Sequence, residues 1–239
     1  MNNFASCLQN AGQSLRESTN YFTSILDSEE NTHGWGPAQL YPHNTEVSQQ
    51  DTPANAVYLI ERGLVKLTWV EPAGHEVIVG LRRRHWLLGA QAVLLGSHLA
   101  FTVTTLIPCS LRSISSKRFL HLVNTDVEFN RQLLLIFSEE IYSHGINAAV
   151  LGCIPARERL KRFLCEMVLE QRNGSDSAEM HKPMRLQIPL KLKELAQLIA
   201  ITPEHLSRLL KELEQHGIIT RNKGWLILTD PGALLSSQK

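Results

Sequence analysis

Between residues 202 and 211 the chain reads Thr-Pro-Glu-His-Leu-Ser-Arg-Leu-Leu-Lys. Glu204, Ser207, Arg208 and Lys211 fall there at spacings of three, one and three residues. On a helix this spacing gathers the four on one face, away from Leu206, Leu209, Leu210 and Leu213. The polar face has a definite chemistry. A guanidinium can fork onto O6 and N7 of guanine, a carboxylate accepts from cytosine N4–H or orients the arginine, and a hydroxyl donates, accepts or touches a thymine methyl. Glu204, Ser207 and Arg208 are therefore candidate base contacts. Lys211, Lys193, Lys191 and the Thr202 hydroxyl are placed for phosphates, which set register without carrying sequence.

Such a face works only if the flanking chain holds it up. Thr202 is an expected N-cap, Pro203 occupies the first helical position where its missing N–H costs nothing, and Glu204 suits the positive end of the helix dipole. The helix is expected over Pro203–Gln215, with Gly217 as its terminating glycine. A shorter helix, Glu194–Ile199, precedes it, joined by the tight connection Ala200-Ile201-Thr202. Two short helices, a three-residue turn and an apolar inner face make a helix-turn-helix. After it, Ile218-Ile219-Thr220 and Trp225-Leu226-Ile227-Leu228 flank the turn Asn222-Lys223-Gly224, a hairpin in the position of a wing.

Upstream the texture differs. Leu40 to Ile114 is a series of short β-type runs: Val57–Ile60, Leu64–Val70, Glu76–Leu81, Phe101–Ile107 and Cys109–Ile114, with Glu71-Pro72-Ala73-Gly74 as a hairpin turn. Many short strands without intervening helices predict an antiparallel barrel or jelly roll. The period then switches to helical. Thr125-Asp126-Val127-Glu128 reads as a capping box, and Leu134, Phe137, Ile141, His144, Ala148 and Leu151 follow at alternating spacings of three and four, a coiled-coil-like stripe whose free face needs a partner, the alternative being a helix packed wholly against its own barrel. Pro155 breaks the helix, Arg159–Leu169 resumes as an amphipathic one, and Asn173–Ser177 is a turn or loop. The fold class is α+β: residues 1–35 a polar extension with a short helix around Tyr21–Leu26, 36–124 a β-barrel, 125–154 a dimerisation helix, and 155–239 a winged helix-turn-helix.

Composition agrees with a folded chain of 239 residues, 43% apolar and 20% charged. No run approaches the roughly 18 apolar residues of a membrane helix. The first residues lack the basic cluster and apolar stretch of a secretory signal, so a cytoplasmic protein away from membranes is expected. Cys7, Cys109, Cys153 and Cys165 show neither a disulfide framework nor metal-ligand spacing, and read as free thiols. The net charge of +1 is unevenly divided: from Pro155 onward there are 14 Lys and Arg against 10 Asp and Glu. A basic surplus on the last third fits a nucleic-acid surface. No Ser-His-Asp arrangement, phosphate loop or paired-carboxylate motif stands out, and Gly74-His75-Glu76 offers a single His where a metal cupin needs His-x-His, so neither catalysis nor a metal site is expected.

The order of strands, long helix, short helix and winged helix-turn-helix resembles the CRP/FNR family of bacterial transcription regulators over residues 40–232. The likeness is carried by residues 58–65 (Tyr-Leu-Ile-Glu-Arg-Gly-Leu-Val), residues 159–164 (Arg-Leu-Lys-Arg-Phe-Leu), and above all residues 202–211. The resemblance implies a cyclic-nucleotide-binding-like barrel, a parallel homodimer through the long helix, a second helix entering the major groove of double-stranded DNA, and RNA polymerase as a partner. Glu204-x-x-Ser207-Arg208 is similar to the FNR-type triplet, which implies a TTGAT half-site repeated as a palindrome one helical turn apart. The family's effector cassette writes Phe-Gly-Glu and then Arg-Ser or Arg-Thr. Here Leu88-Gly89-Ala90 and Leu99-Ala100 stand instead, a degenerate pocket in which a cyclic phosphate would lie desolvated without a counter-charge. Cyclic AMP is not expected. Nor is an iron–sulfur cluster, since Cys7 is the sole N-terminal cysteine. Haem stays open, with His75, His85 or His98 as axial candidates. Arg82-Arg83-Arg84 reads as a solvated loop, or else as an anion or activation surface. The alternative function is a ligand-responsive barrel that regulates a protein partner rather than DNA.

Overall fold

The structure, a computed structural model, describes residues 34–171, 183–222 and 225–229. The proposed Tyr21–Leu26 helix, the Asn173–Ser177 loop and Cys7 lie outside the described residues. The chain divides into two compact units, Met1–Ile146 and Asn147–Lys239.

Among the described residues the first unit holds eight strands: β1 (Gln39–Tyr41), β2 (Glu46–Ser48), β3 (Ala56–Arg62), β4 (Leu64–Val70), β5 (Glu76–Arg83), β6 (Leu87–Leu88), β7 (Thr102–Thr105) and β8 (Cys109–Ser115). They form two antiparallel four-stranded sheets, in the orders β1-β8-β3-β6 and β2-β7-β4-β5. Among the described residues three helices follow or interrupt them, α1 (Ala90–Leu95), α2 (Ser116–Thr125) and the 27-residue α3 (Val127–Cys153), which runs across the unit boundary. The expected antiparallel β domain is present as two facing sheets.

The first sheet is covered on both faces, which explains why Val57-Tyr58-Leu59-Ile60 is a continuous apolar run rather than an alternating one. Ile60, Leu88, Cys109 and Leu111 meet Val65, Leu67 and Val103 of the second sheet. Val57, Leu59, Leu87 and Ile114 point the other way, against Val93 of α1, Phe119 and Leu122 of α2, and Phe129 and Leu133 of α3. The Phe119 and Phe129 rings meet edge to face at 5.6 Å. Gly63 joins β3 to β4 at φ +115°, where a Cβ would lie 2.8 Å from Cys109 Cα, so only glycine allows this close crossing.

Three details depart from the sequence reading. Trp35, assigned to the extension, is 2% exposed and fills the helix-side core, so the β domain begins before residue 36. The cap of α3 is Asp126 rather than Thr125: its Oδ1 accepts from Phe129 N at 2.9 Å, while the Thr125 hydroxyl donates back to His121 O at 2.8 Å as α2 ends. Aspartate is the better acceptor and takes the position next to the first helical N–H groups.

Third, Arg82 is no solvated loop residue. It lies in β5 over the Trp86 ring, 4.4 Å from the centroid, and its Nη2 donates to Glu140 Oε1 of α3 at 3.0 Å. Gln91 Nε2 donates to the other oxygen, Glu140 Oε2, at 2.9 Å. The two charged side chains are 11% and 13% exposed. Burial pulls the Arg82 pKa below its ordinary value, and the Glu140 charge opposes that shift. Removing one partner of such a pair strands the other charge away from water. Glu140→Leu is therefore expected to destabilise the protein by about 3 kcal/mol. The double variant Arg82→Leu with Glu140→Leu should recover most of that loss in a urea titration.

The second unit contains α4 (Ala156–Gln171), β9 (Met184–Gln187), α5 (Leu192–Leu198), α6 (Pro203–Gln215), β10 (Ile219–Asn222) and β11 (Trp225–Leu228). Leu160 and Leu164 of α4, Leu186 of β9, Leu206 and Leu213 of α6 and Leu228 of β11 are each at most 1% exposed and form its interior. Among the described residues no helix is long and apolar enough to cross a membrane.

Candidate nucleic-acid interface

α5 starts at Lys191, whose side chain has no acceptor and cannot cap; instead its backbone N–H donates to Glu194 Oε2 at 2.8 Å, so half of a capping box forms. The helix ends when Ala200 N donates to Gln197 O and Ile201 N to Ala196 O, both at 3.0 Å. This closure requires a left-handed residue, and Ala200 supplies it at φ 52°, where glycine is the usual choice. A Cβ in this region costs on the order of 1 kcal/mol. Ala200→Gly is accordingly expected to stabilise the protein by up to about 1 kcal/mol, read as a raised midpoint in thermal or urea unfolding.

α6 begins as expected. The Thr202 hydroxyl accepts from His205 N at 3.2 Å and Pro203 follows at the first position. At the far end Gly217 (φ 68°) closes the helix, with Gly217 N donating to Glu214 O and Ile218 N to Leu213 O, each at 3.0 Å. Leu206, Leu209, Leu210 and Leu213 are all buried. Glu204, Arg208 and Lys211 are exposed and Ser207 is half-buried beside them. The Glu204 carboxylate is held below the usual range, first by its own backbone N–H and the Thr202 hydroxyl, then by the Arg208 charge one turn on. It is thus an ionised acceptor at neutral pH.

The other acids of α6 are neutralised elsewhere. Glu212 pairs with Arg157 at the start of α4 at 2.9 Å, and Glu214 with Arg221 of β10 at 2.8 Å. Neither cancels the charge of Arg208 or Lys211. Lys191, Lys193 and Thr202 are also exposed. Two lysines at the positive end of α5 oppose its dipole, an arrangement that a facing phosphate would relieve.

The hairpin pairs Ile219 with Leu228 and Asn222 with Trp225; of the expected turn, residues 223 and 224 lie outside the described residues. The hairpin gains a third strand that the sequence reading lacks: β9 pairs with β11, Leu186 opposite Leu226. The alternation of Met184, Leu186 and Ile188 was its available signal. Arg157 and Arg221, which hold the rear of α6, carried no local signal at all.

Along α3 the residues read as a stripe differ in surroundings. Leu134, Ile141 and Leu151 are 61%, 73% and 46% exposed, and His144 and Ala148 are exposed with them. Phe137 instead packs, half-buried, against the helix-side core together with Ile136. The helix therefore carries two apolar faces, one docked at Phe129 and Leu133 and one open.

Of the residues assigned to the degenerate pocket, Gly89 and Leu99 lie next to each other. Gly89 starts α1, and a Cβ on it would lie 3.4 Å from Leu99 Cδ2. Leu88 and Ala90 are buried core residues, and Ala100 is exposed. His75 pairs with Glu71 in the β4–β5 turn, His85 lies in the turn before β6, and His98 bridges to Pro53. Burial raises the thiol pKa of Cys109 and pushes that of Cys165 up to about 11, so both stay protonated, whereas Cys153 is exposed.

Comparison with known proteins agrees with this architecture. Residues 38–126 match the family model of the cyclic nucleotide-binding domain, and residues 158–236 match that of the Crp-like helix-turn-helix domain. The CRP-like protein Clp of Xanthomonas campestris pv. campestris (strain B100) is 23% identical over 185 residues, covering 75% of this chain and 78% of its own. The structure of FixK2 from Bradyrhizobium japonicum is similar with a TM-score of 0.65 at 20% identity, over 83% of this chain and 95% of that one. The c-di-GMP responsive global regulator CLP of Xanthomonas campestris is similar with a TM-score of 0.61 at 22% identity, over 82% and 94%. With both domain models matched in the order seen here, and the outward-facing polar face of α6 lying inside the second of them, this chain belongs to the CRP/FNR family of transcription regulators.

Proposed function

We propose that this protein is a homodimeric regulator that reads a TTGAT-like palindrome, with half-sites one helical turn apart, and that it does so without cyclic AMP. One observation carries the reading: Glu204, Ser207, Arg208 and Lys211 share the outer face of a helix whose leucines are buried and whose remaining acids are already paired. Arg208 takes guanine O6 and N7, Glu204 takes a cytosine amino group, and Ser207 meets a thymine methyl. Lys211, Lys193, Lys191 and Thr202 hold the phosphates on either side.

The open face of α3, from Leu134 through Ile141, His144 and Ala148 to Leu151, supports dimerisation, because an apolar heptad stripe of this length is otherwise left in water. The apolar groups at Leu88–Ala90 and Leu99–Ala100 support independence from cyclic AMP. The N-terminal segment, with Cys7 alone, offers no ligand set for an iron–sulfur cluster. RNA polymerase is the partner that a family member bound beside a promoter would meet.

The test is an anisotropy titration of purified protein with a duplex carrying the inverted TTGAT repeat and with a scrambled duplex, at fixed salt, with and without cyclic AMP. The palindrome should bind at least about a thousandfold tighter than the scrambled duplex, and the nucleotide should change nothing. Equal affinity for both duplexes would instead favour regulation of a protein partner.

A further inference from the structure

Arg159, in the first turn of α4, touches no residue of the reading face, yet its guanidinium gathers four backbone carbonyls. Nη1 donates to Ile154 O at 2.6 Å and to Leu151 O at 3.5 Å, at the end of α3. Nε donates to Ile199 O at 2.8 Å and Nη2 to Ala200 O at 3.2 Å, in the turn between α5 and α6. All of these residues lie within the second compact unit. The carbonyl ends of two helices, each carrying the negative pole of its dipole, thus converge on one cation. Without that cation the two ends repel. Lysine cannot replace it, because a point ammonium lacks the planar fork that reaches both ends at once.

The connection runs from the open stripe to the reading helix. Leu151 belongs to the stripe, and its carbonyl is held by Arg159. Ala200 is the left-handed residue of the turn, and Pro203 opens α6 three residues later. We infer that Arg159 is a positioning residue for DNA recognition: it fixes the turn before α6 against the end of α3, and so sets the separation of the two reading helices in the dimer. This rests on the palindrome reading of the previous subsection.

A residue that only stabilised the fold would, when replaced, weaken every DNA complex in proportion. A positioning residue affects only the complex that engages both half-sites. The experiment uses full-length wild type, Arg159→Lys and Arg159→Gln, with thermal melts to follow folding. Each is titrated with a single half-site duplex, the palindrome, and palindromes with one base pair added to or removed from the spacer. The variants should keep half-site affinity within about twofold. They should lose at least about tenfold on the palindrome, because a misplaced second half-site forfeits its effective concentration, and their preference for the native spacer should flatten. Wild-type spacer preference in both variants overturns the inference, and so does a proportionate loss on all duplexes with a lowered melting temperature. A wild type that does not distinguish palindrome from half-site would fail the palindrome reading itself.

Discussion

Arg208→Ala is expected to bind its operator and a scrambled duplex with nearly equal affinity. The side chain stands exposed on α6 with its guanidinium uncommitted to the acids behind it, which are paired with Arg157 and Arg221. A bidentate arginine–guanine contact is worth about 1–3 kcal/mol of discrimination. Two copies per dimer make that about 2–6 kcal/mol, most of the specificity such a protein commands. Folding should be untouched, since the apolar face of the helix is unaltered. Lys211→Ala provides the contrast. It should weaken all duplexes alike and lower the slope of log affinity against log salt by about one per subunit, as loss of a phosphate contact does. Anisotropy titrations across a salt series separate the two effects. Retained discrimination in Arg208→Ala would remove the assignment of base contacts.

The second large effect is expected from Ile141→Asp. Ile141 is 73% exposed in the single chain and lies in the middle of the open stripe of α3. Within a monomer the change is a surface substitution and should alter stability by no more than about 0.5 kcal/mol. Within a helix seam it buries an unpartnered carboxylate, which costs several kcal/mol per chain. Light scattering should report a monomer at concentrations where wild type is a dimer. Palindrome affinity should fall at least about a hundredfold through lost avidity, with half-site affinity held within about twofold. A persistent dimer would move the seam away from this face.

How much of the fold the sequence shows follows the range of the physics involved. The recognition helix was legible because its signals are local: the Thr202 cap, Pro203, leucines at helical spacing and Gly217 all lie within sixteen residues of one another. The β3, β4, β5 and β8 runs were legible from their apolar content. The short strands β1, β2 and β6 and the helix α1 were not, since two or three residues in a ladder carry no period and six residues in a helix barely two turns. The capping box was displaced by one residue because Thr125 and Asp126 are both competent caps, and the choice depends on where α2 ends. Long-range partners were invisible. Arg82 read as one of three loop arginines, and only the packing of α3 on the first unit brings Glu140 to it across 58 residues. Arg159 belongs to a stretch that resembles the family, while its carbonyl partners lie up to 41 residues away. Alanine at position 200 gave no sign of a left-handed turn, since its type argues against one.

The central claim is that two copies of α6 read base edges as a symmetric pair. Selection of bound duplexes from a random pool by the purified full-length protein, with no effector added, tests it most directly. The account predicts enrichment of two inverted TTGAT-like half-sites whose centres are about 10 base pairs apart. A pool with no enriched sequence, or one enriched in a single unrepeated site, would contradict it.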